Sequence, residues 1–242
     1  MRLALVISIF VTIGITASAQ TESREQVLRQ IESKRAELTA LEDKLLAPSE
    51  EDLSSYAEFL KQPDTGLIRL LPREDYDSYV KDKKTLTLRG GGAFYSFATS
   101  THEYGGGNEI GLERGYINAM LGGASYGAIT KLDGARLEDV STELPAVMFI
   151  ARYNAVTTEP EARVEQRRFR DGTTIGGLAY KASVPAEVGA VYMLRSVDYD
   201  RSDLLMAFRI VRKDTDGSVI IAWKLLKKYP KPELARAVQS SN

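Results

Sequence analysis

Apolar residues recur with helical spacing in the stretch REQVLRQIESKRAELTALEDKLL, residues 24–46. Successive apolar positions are separated alternately by four and by three residues, and one lysine falls on the same seam. Such spacing over about three heptads predicts either an amphipathic helix, packed on a domain or projecting as a stalk, or a short coiled coil. The coiled-coil interpretation predicts self-association through residues 24–46. The seam consists of Val27, Ile31, Lys34, Leu38, Leu41 and Leu45.

A second short helix is predicted over about 50–61. Ser49 and Asp52 have the spacing of a capping box, in which the side chain of each residue accepts a hydrogen bond from the backbone N–H of the other. The turn-forming string KQPDTG closes this helix, because Pro63 cannot continue it. The two helices together form a predicted helical segment over residues 20–62.

From Leu67 onward, short runs rich in Val, Ile and aromatic residues alternate with Gly, Asp and Pro, a pattern typical of β-structure. The last runs are apolar on both faces, which predicts central strands covered on two sides. The predicted fold class is mainly β, α+β overall: an antiparallel β-sandwich or closed barrel preceded by an N-terminal helical segment. A single all-β domain is expected over 64–230, followed by a C-terminal tail over 231–242. One face of the last run carries Val219, Ile221, Trp223 and Leu225.

Two tight hairpins are predicted within this domain. Asp216-Gly217 and Asp171-Gly172 each lie between candidate strands. Asp-Gly favours a two-residue hairpin turn because glycine adopts positive φ without a Cβ clash.

The first 19 residues have the pattern of a signal peptide. Arg2 precedes an apolar run of about 13 residues, and the small residues Ala17 and Ala19 suit a signal peptidase, so cleavage is expected near Ala19. The apolar run is shorter than the ~20 residues that a spanning helix needs. We therefore expect an exported protein, periplasmic or secreted, with no transmembrane segment in the mature chain. A retained membrane anchor is the alternative.

Composition narrows the classes of function. The chain has no cysteine, so it uses neither disulfides nor thiolate chemistry. Its 32 basic and 33 acidic side chains leave a net charge of −1, which argues against bulk attraction to nucleic acid. One basic cluster stands out, which we interpret either as the solvated end of the last strand or as a contact for an anionic cell-envelope polymer. The cluster consists of Lys224, Lys227, Lys228 and Lys231.

Catalytic and metal-binding motifs are incomplete. Ser125 lies in a G-x-S-x-G string, but in α/β-hydrolases the base follows the serine, and the only histidine, His102, precedes it. His102 also has no second histidine four residues on, as a zinc helix would need. The acids between Asp198 and Asp203 match the first positions of a calcium loop, yet Asp203 occupies the place of the required glycine. We assign no catalytic residue, metal or cofactor, and leave enzymatic activity uncertain.

The densest candidate region is RGGGAFYSFATSTHEYGGGN, residues 89–108, where two triple-glycine runs flank four aromatic residues and the only histidine. Strand alternation places Tyr95 and Phe97 on one face and Phe94 on the other. The candidate binding residues are His102, Glu103, Tyr104, Tyr95, Phe97 and Tyr126.

These features favour a non-catalytic function. The layout resembles that of exported bacterial proteins, and we expect a β-domain that binds or scaffolds at the cell envelope, with a polymer or a protein as partner. The alternative is a carbohydrate- or peptidoglycan-binding module or hydrolase, because glycan sites present flat aromatic faces. That site would be assembled from Tyr95, Phe97, His102 and Tyr104.

Overall fold

The computed structural model describes residues 23–76, 92–102, 107–119 and 121–235. The chain divides into two compact units, one ending at Leu41 and one beginning at Glu42.

The fold is α+β, with antiparallel sheets and an N-terminal helical segment, as predicted. The helices are α1 (Arg24–Leu46), α2 (Glu50–Ser55), α3 (Ala57–Leu60), α4 (Arg73–Tyr76), α5 (Pro145–Arg152) and α6 (Glu159–Asp171). The strands are β1 (Thr65–Leu70), β2 (Phe94–Tyr95), β3 (Ile110–Glu113), β4 (Tyr116–Asn118), β5 (Tyr126–Lys131), β6 (Thr173–Ile175), β7 (Leu178–Tyr180), β8 (Ser183–Pro185), β9 (Val191–Asp198), β10 (Ser202–Lys213) and β11 (Val219–Lys228).

α1 covers the range predicted for the first helix. Ser23 and Gln26 cap its start reciprocally, because the Ser23 hydroxyl accepts from the Gln26 N–H and the Gln26 amide accepts from the Ser23 N–H. In the first unit the seam side chains Val27, Ile31 and Leu38 are exposed, at 39, 42 and 53 %. Self-association through this helix stays a prediction.

The second predicted helix is divided at Tyr56 into α2 and α3. The capping box is confirmed: Ser49 Oγ accepts from the Asp52 N–H at 3.1 Å, and Asp52 Oδ2 accepts from the Ser49 N–H at 3.2 Å. The Asp52 carboxylate also pairs with Arg212 on β10, at 2.9 Å from Nη2 to Oδ2. This pair links α2 to the larger sheet.

The larger sheet has five strands in the order β1-β11-β10-β9-β5, each antiparallel to its neighbours. β10 and β11 form the hairpin predicted at Asp216-Gly217, but five residues, 214–218, connect the strands instead of a two-residue turn. Gly217 has a φ of 82°. β11 is paired on both sides over Val219–Lys224, so Lys224 lies on an internal part of the strand, whereas Lys227 and Lys228 pair with β10 alone. β1 and β5 are the terminal strands of the sheet.

The smaller sheet, β2-β3-β4-β8, packs on one face of the larger one. Leu204, Met206, Phe208 and Ile210 of β10 share this core with Ile110 and Leu112 of β3 and Ile117 of β4. Neither sheet closes on itself among the described strands, so the arrangement is sandwich-like, not a closed barrel. The predicted burial of β10 on both faces is confirmed, because its other face packs under helices.

Two helices, α5 and α6, cover that other face, so the domain predicted over 64–230 is not all-β. α6 buries Ala162 and Phe169, and it begins with acidic residues and ends with basic ones, which suits the helix dipole. The hairpin predicted at Asp171-Gly172 is wrong. α6 ends at Asp171, and Gly172 terminates it with a φ of 91°. The hairpin turn between β6 and β7 lies five residues later, at Gly176-Gly177.

The start of the predicted C-terminal tail packs on the domain. The Asp200 N–H donates to the Pro232 carbonyl at 2.9 Å, and the Ala235 N–H donates to the Thr157 carbonyl at 2.6 Å. Pro232 itself is buried. No helix in the described ranges has both the length and the apolar character required to cross a bilayer.

Candidate ligand cleft at the edge of the larger sheet

A cleft of about 550 Å³ opens between β1 and the segment that follows β2. This volume falls within the range of roughly 300–1,000 Å³ that is usual for small-ligand sites. We call it the aromatic cleft, because three of its lining residues are Tyr95, Phe97 and Trp223. The rest of the lining consists of Asp64, Thr65, Gly66, Leu67, Ala98, Ser100, Leu204, Leu225 and Lys228.

Trp223 reaches the cleft because of one glycine. Gly66 of β1 lies opposite Trp223 of β11 in the strand register. A Cβ built on Gly66 would lie 2.6 Å from the indole atoms Cε2, Cζ2 and Nε1. The indole therefore lies directly over the backbone of the terminal strand, an approach that a larger residue at position 66 would block.

The three aromatic rings of the cleft, which form its aromatic wall, pack against one another. Phe97 and Trp223 have ring centroids 5.2 Å apart, and Tyr95 and Phe97 have centroids 5.3 Å apart, both in edge-to-face arrangements. Each such pair contributes about 0.5–1.5 kcal/mol beyond its buried area. The three rings are only 5–7 % exposed. The wall is thus largely preformed.

A buried carboxyl group lies behind this wall. Glu109 is fully buried; its Oε2 accepts from the Phe97 N–H at 2.6 Å, and its Oε1 accepts from the Ser202 hydroxyl at 3.2 Å. Burial raises the pKa of Glu109 to about 7, although hydrogen bonds from Phe97, Ser96 and Ser202 oppose the rise. Glu109 therefore anchors the backbone of a cleft residue to β10.

His102 lies beside the aromatic rings of the cleft and forms a hydrogen bond with the backbone of β1. Its Nε2 is 2.7 Å from the Arg69 carbonyl, and since a carbonyl only accepts, Nε2 carries the hydrogen. The His102 and Tyr95 rings meet edge to face at 5.2 Å. Of the other candidates, Glu103 and Tyr104 lie outside the described residues.

Tyr126 is not part of the same site. Its ring packs under α6 against Phe169, and its hydroxyl is 2.8 Å from that of Tyr153, on the opposite face of the larger sheet. The structure thus brings together Tyr95, Phe97 and His102 and separates Tyr126 from them. Trp223 was assigned to a strand face by sequence but was not recognised as a site residue, because only the β1–β11 register places it there.

The remaining motif residues make internal contacts. Ser125 Oγ donates to Asp198 Oδ1 at 2.7 Å and accepts from the Tyr199 N–H at 3.1 Å, so it joins β5 to the end of β9. Asp203 is buried and pairs with Arg195. Asp198 and Asp203, the first and last acids of the incomplete calcium-loop pattern, are thus both buried. No group of three or more potential metal-binding side chains occurs in the described part of the chain.

Replacing Gly66 by alanine tests the geometry of the cleft. The new Cβ must displace the indole, and we expect a loss of about 1–3 kcal/mol in the free energy of unfolding together with a red shift of Trp223 emission. Urea unfolding and the emission spectrum measure both quantities. Gly122→Ala is the matched control, because a Cβ there would meet no atom within 4 Å. Equal behaviour of the two variants would contradict the placement of Trp223.

No protein-family model, curated protein or solved structure matches this chain. The functional interpretation therefore rests on the geometry of the aromatic cleft.

Proposed function

We propose that the protein is a non-catalytic binding domain whose ligand occupies the aromatic cleft, and that it acts after export, at the cell envelope or outside the cell. The observation that carries this proposal is the preformed cleft of about 550 Å³ with three packed aromatic rings in its lining. A preformed apolar wall lowers the entropy lost on binding. The polar side chains of the lining are Asp64, Thr65, Ser100 and Lys228, which suits orientation of a ligand.

The geometry supports a glycan ligand less well. Tyr95, Phe97 and Trp223 pack edge to face against one another, and their faces are almost fully buried. Sugar rings stack on open aromatic faces, and Tyr126 contributes none here because it lies on the other side of the sheet. The exposed lining of the cleft mixes polar and apolar atoms, which suits a ligand that combines an apolar group with hydrogen-bonding groups.

The chain's single tryptophan makes the test direct. Trp223 is the only tryptophan of the protein, so its emission reports on the cleft alone. We expect the amphipathic fluorophore 8-anilinonaphthalene-1-sulfonate, which carries apolar aromatic rings and one sulfonate, to bind saturably and to quench Trp223 emission at one site per chain. The measurement is a fluorescence titration of the full mature chain.

A variant that fills the cleft tests whether the fluorophore binds in the cleft and not elsewhere on the protein. Ala98 is exposed and lines the cleft, so Ala98→Phe is expected to fill it and to weaken binding of the fluorophore at least about tenfold. Ala179→Phe, at an exposed position on β7, is the matched control and is expected to leave binding unchanged. The proposal fails if Trp223 emission does not respond, or if both variants bind equally well.

A further inference from the structure

The backbone groups of β1 alternate between two directions. The Leu225 N–H donates to the Asp64 carbonyl at 2.8 Å, and Gly66 lies opposite Trp223. In an antiparallel pair, residues that exchange hydrogen bonds alternate with residues that do not. The even-numbered residues of β1 therefore direct N–H and C=O toward β11, and the odd-numbered ones direct them away from the sheet.

The second half of this outer edge is occupied. The Arg69 carbonyl accepts from His102 Nε2 at 2.7 Å. The Leu71 N–H, just beyond the strand, donates to the Gly92 carbonyl at 3.1 Å. Both contacts lie on the side predicted by the alternation.

The first half of the outer edge has no hydrogen-bond partner among the described residues. Across residues 23–76, 92–102, 107–119 and 121–235, no group forms a hydrogen bond with the N–H or C=O of Thr65 or Leu67. These two residues also line the aromatic cleft. The outward-facing N–H and C=O groups of two β1 residues are thus found in the lining of the aromatic cleft.

We propose that the ligand of the aromatic cleft is an extended segment of a partner protein, which pairs with Thr65 and Leu67 as an additional strand and places one large apolar side chain in the cleft. The inference rests on the proposed function and names the class of partner. N–H and C=O groups that recur every two residues along a strand edge can all form hydrogen bonds with another extended backbone. The outward groups of Thr65 and Leu67 therefore favour a polypeptide over a ligand that has no such backbone.

The geometry also places the partner's side chain. Residues directly opposite each other on adjacent strands share one face of a sheet, and the strands lie about 4.8 Å apart. The partner residue opposite Gly66 therefore lies on the same face as Ile68 and Trp223. Since Gly66 has no side chain, the indole extends over this edge and meets the incoming side chain. In antiparallel pairing, which all strands of this sheet use with their neighbours, the N–H groups of the partner's two flanking residues point toward β1, and that of the central residue points away.

This directionality defines the experiment. The probe is the peptide acetyl-Thr-Val-Phe-Val-Thr amide, titrated into the full mature chain while Trp223 emission is recorded. N-methylation of both valines removes the N–H groups that face β1 and is expected to weaken binding at least about tenfold. N-methylation of the phenylalanine alters an N–H that points away, so this matched control peptide is expected to bind like the parent.

The outcomes separate the two proposals. If the fluorophore binds in the cleft and the parent peptide does not, the proposed function stands and the strand-pairing inference is overturned. Equal binding of all three peptides also overturns it, because the cleft would then recognise the side chain alone.

Two further measurements identify other occupants of the edge. A dimer detected by light scattering that dissociates on addition of the peptide would show that a second copy of the chain covers the edge. Strong protection of the Leu67 amide from hydrogen exchange in the monomer would show that the chain itself covers it. Either result overturns the proposed partner.

Discussion

Replacing Arg195 by methionine is expected to lower the free energy of unfolding by about 3–5 kcal/mol at neutral pH. Arg195 and Asp203 are 2 % and 4 % exposed at their side chains, and Arg195 Nε lies 2.6 Å from Asp203 Oδ1. A second contact joins Nη2 to Oδ2 at 2.8 Å. The variant leaves the Asp203 carboxylate buried without its partner, which costs far more than the loss of an exposed ion pair.

The same pair explains how the effect depends on pH. Burial raises the pKa of Asp203, and although the charge and hydrogen bond of Arg195 oppose this rise, the pKa stays above its ordinary value. Without Arg195 the pKa rises further, so Asp203 is protonated over a wider range in the folded state. The destabilisation by Arg195→Met is therefore expected to shrink as the pH falls toward the ordinary range of an aspartate.

Urea unfolding followed by Trp223 fluorescence measures this prediction. The double variant Arg195→Met with Asp203→Leu is expected to recover most of the loss, because no charge is then left buried. Arg136→Met removes an arginine whose side chain is 74 % exposed, and as a control it is expected to change stability by less than about 0.5 kcal/mol. A loss below about 1 kcal/mol for Arg195→Met would contradict the interpretation.

Replacing Glu109 by glutamine is expected to stabilise the protein at alkaline pH and to have little effect at acid pH. The pKa of Glu109 is raised from 4.5 to about 7 in the folded protein, because the carboxyl group is buried. The folded state therefore binds this proton more tightly than the unfolded state. The resulting stability is fully present below pH 4.5 and is lost as the pH rises to about 7.

The magnitude follows from proton affinity. A pKa raised from 4.5 to about 7 corresponds to roughly 3 kcal/mol, at about 1.4 kcal/mol for each tenfold change in affinity. Glutamine has no charge to bury, and its side-chain oxygen still accepts from the Phe97 N–H. At pH 8 the variant is therefore expected to be more stable than the wild type by about 2–3 kcal/mol.

Unfolding curves recorded between pH 4 and pH 8 test this expectation. Glu58→Gln removes an exposed carboxylate on α3 and is the control, with an expected change below about 0.5 kcal/mol at every pH. Parallel pH profiles of the wild type and Glu109→Gln would show that Glu109 does not titrate differently in the folded state.

The secondary structure was predictable where the signal is local. The heptad spacing of α1, the capping box at Ser49 and the Asp216-Gly217 turn each depend on residues within a few positions of one another. α6 was missed because most of its thirteen residues are charged and only Ala162 and Phe169 are buried, which leaves few apolar positions to mark a helix. Its Asp-Gly terminus was then mistaken for a hairpin turn.

The candidate site was predictable only in part. Strand alternation through β2 and the residues that follow it predicts Tyr95 and Phe97 on one face, and the structure places both in the same core. Trp223 and Gly66 come from strands far apart in the sequence, and their contact depends on the register between β1 and β11. No local pattern contains that register.

The sequence by itself determined the antiparallel α+β class and the alternation of the central strands, because hydrophobic periodicity and turn chemistry act over a few residues. Only the tertiary structure decided that part of the outer edge of β1 has no partner among the described residues, that Trp223 lies over that edge, and that Glu109 is buried next to Phe97. Each of these features depends on residues that are distant in the sequence and become neighbours only in the folded protein. Burial of a charged group and pairing of a strand edge are set by those neighbours, so the local sequence does not specify them.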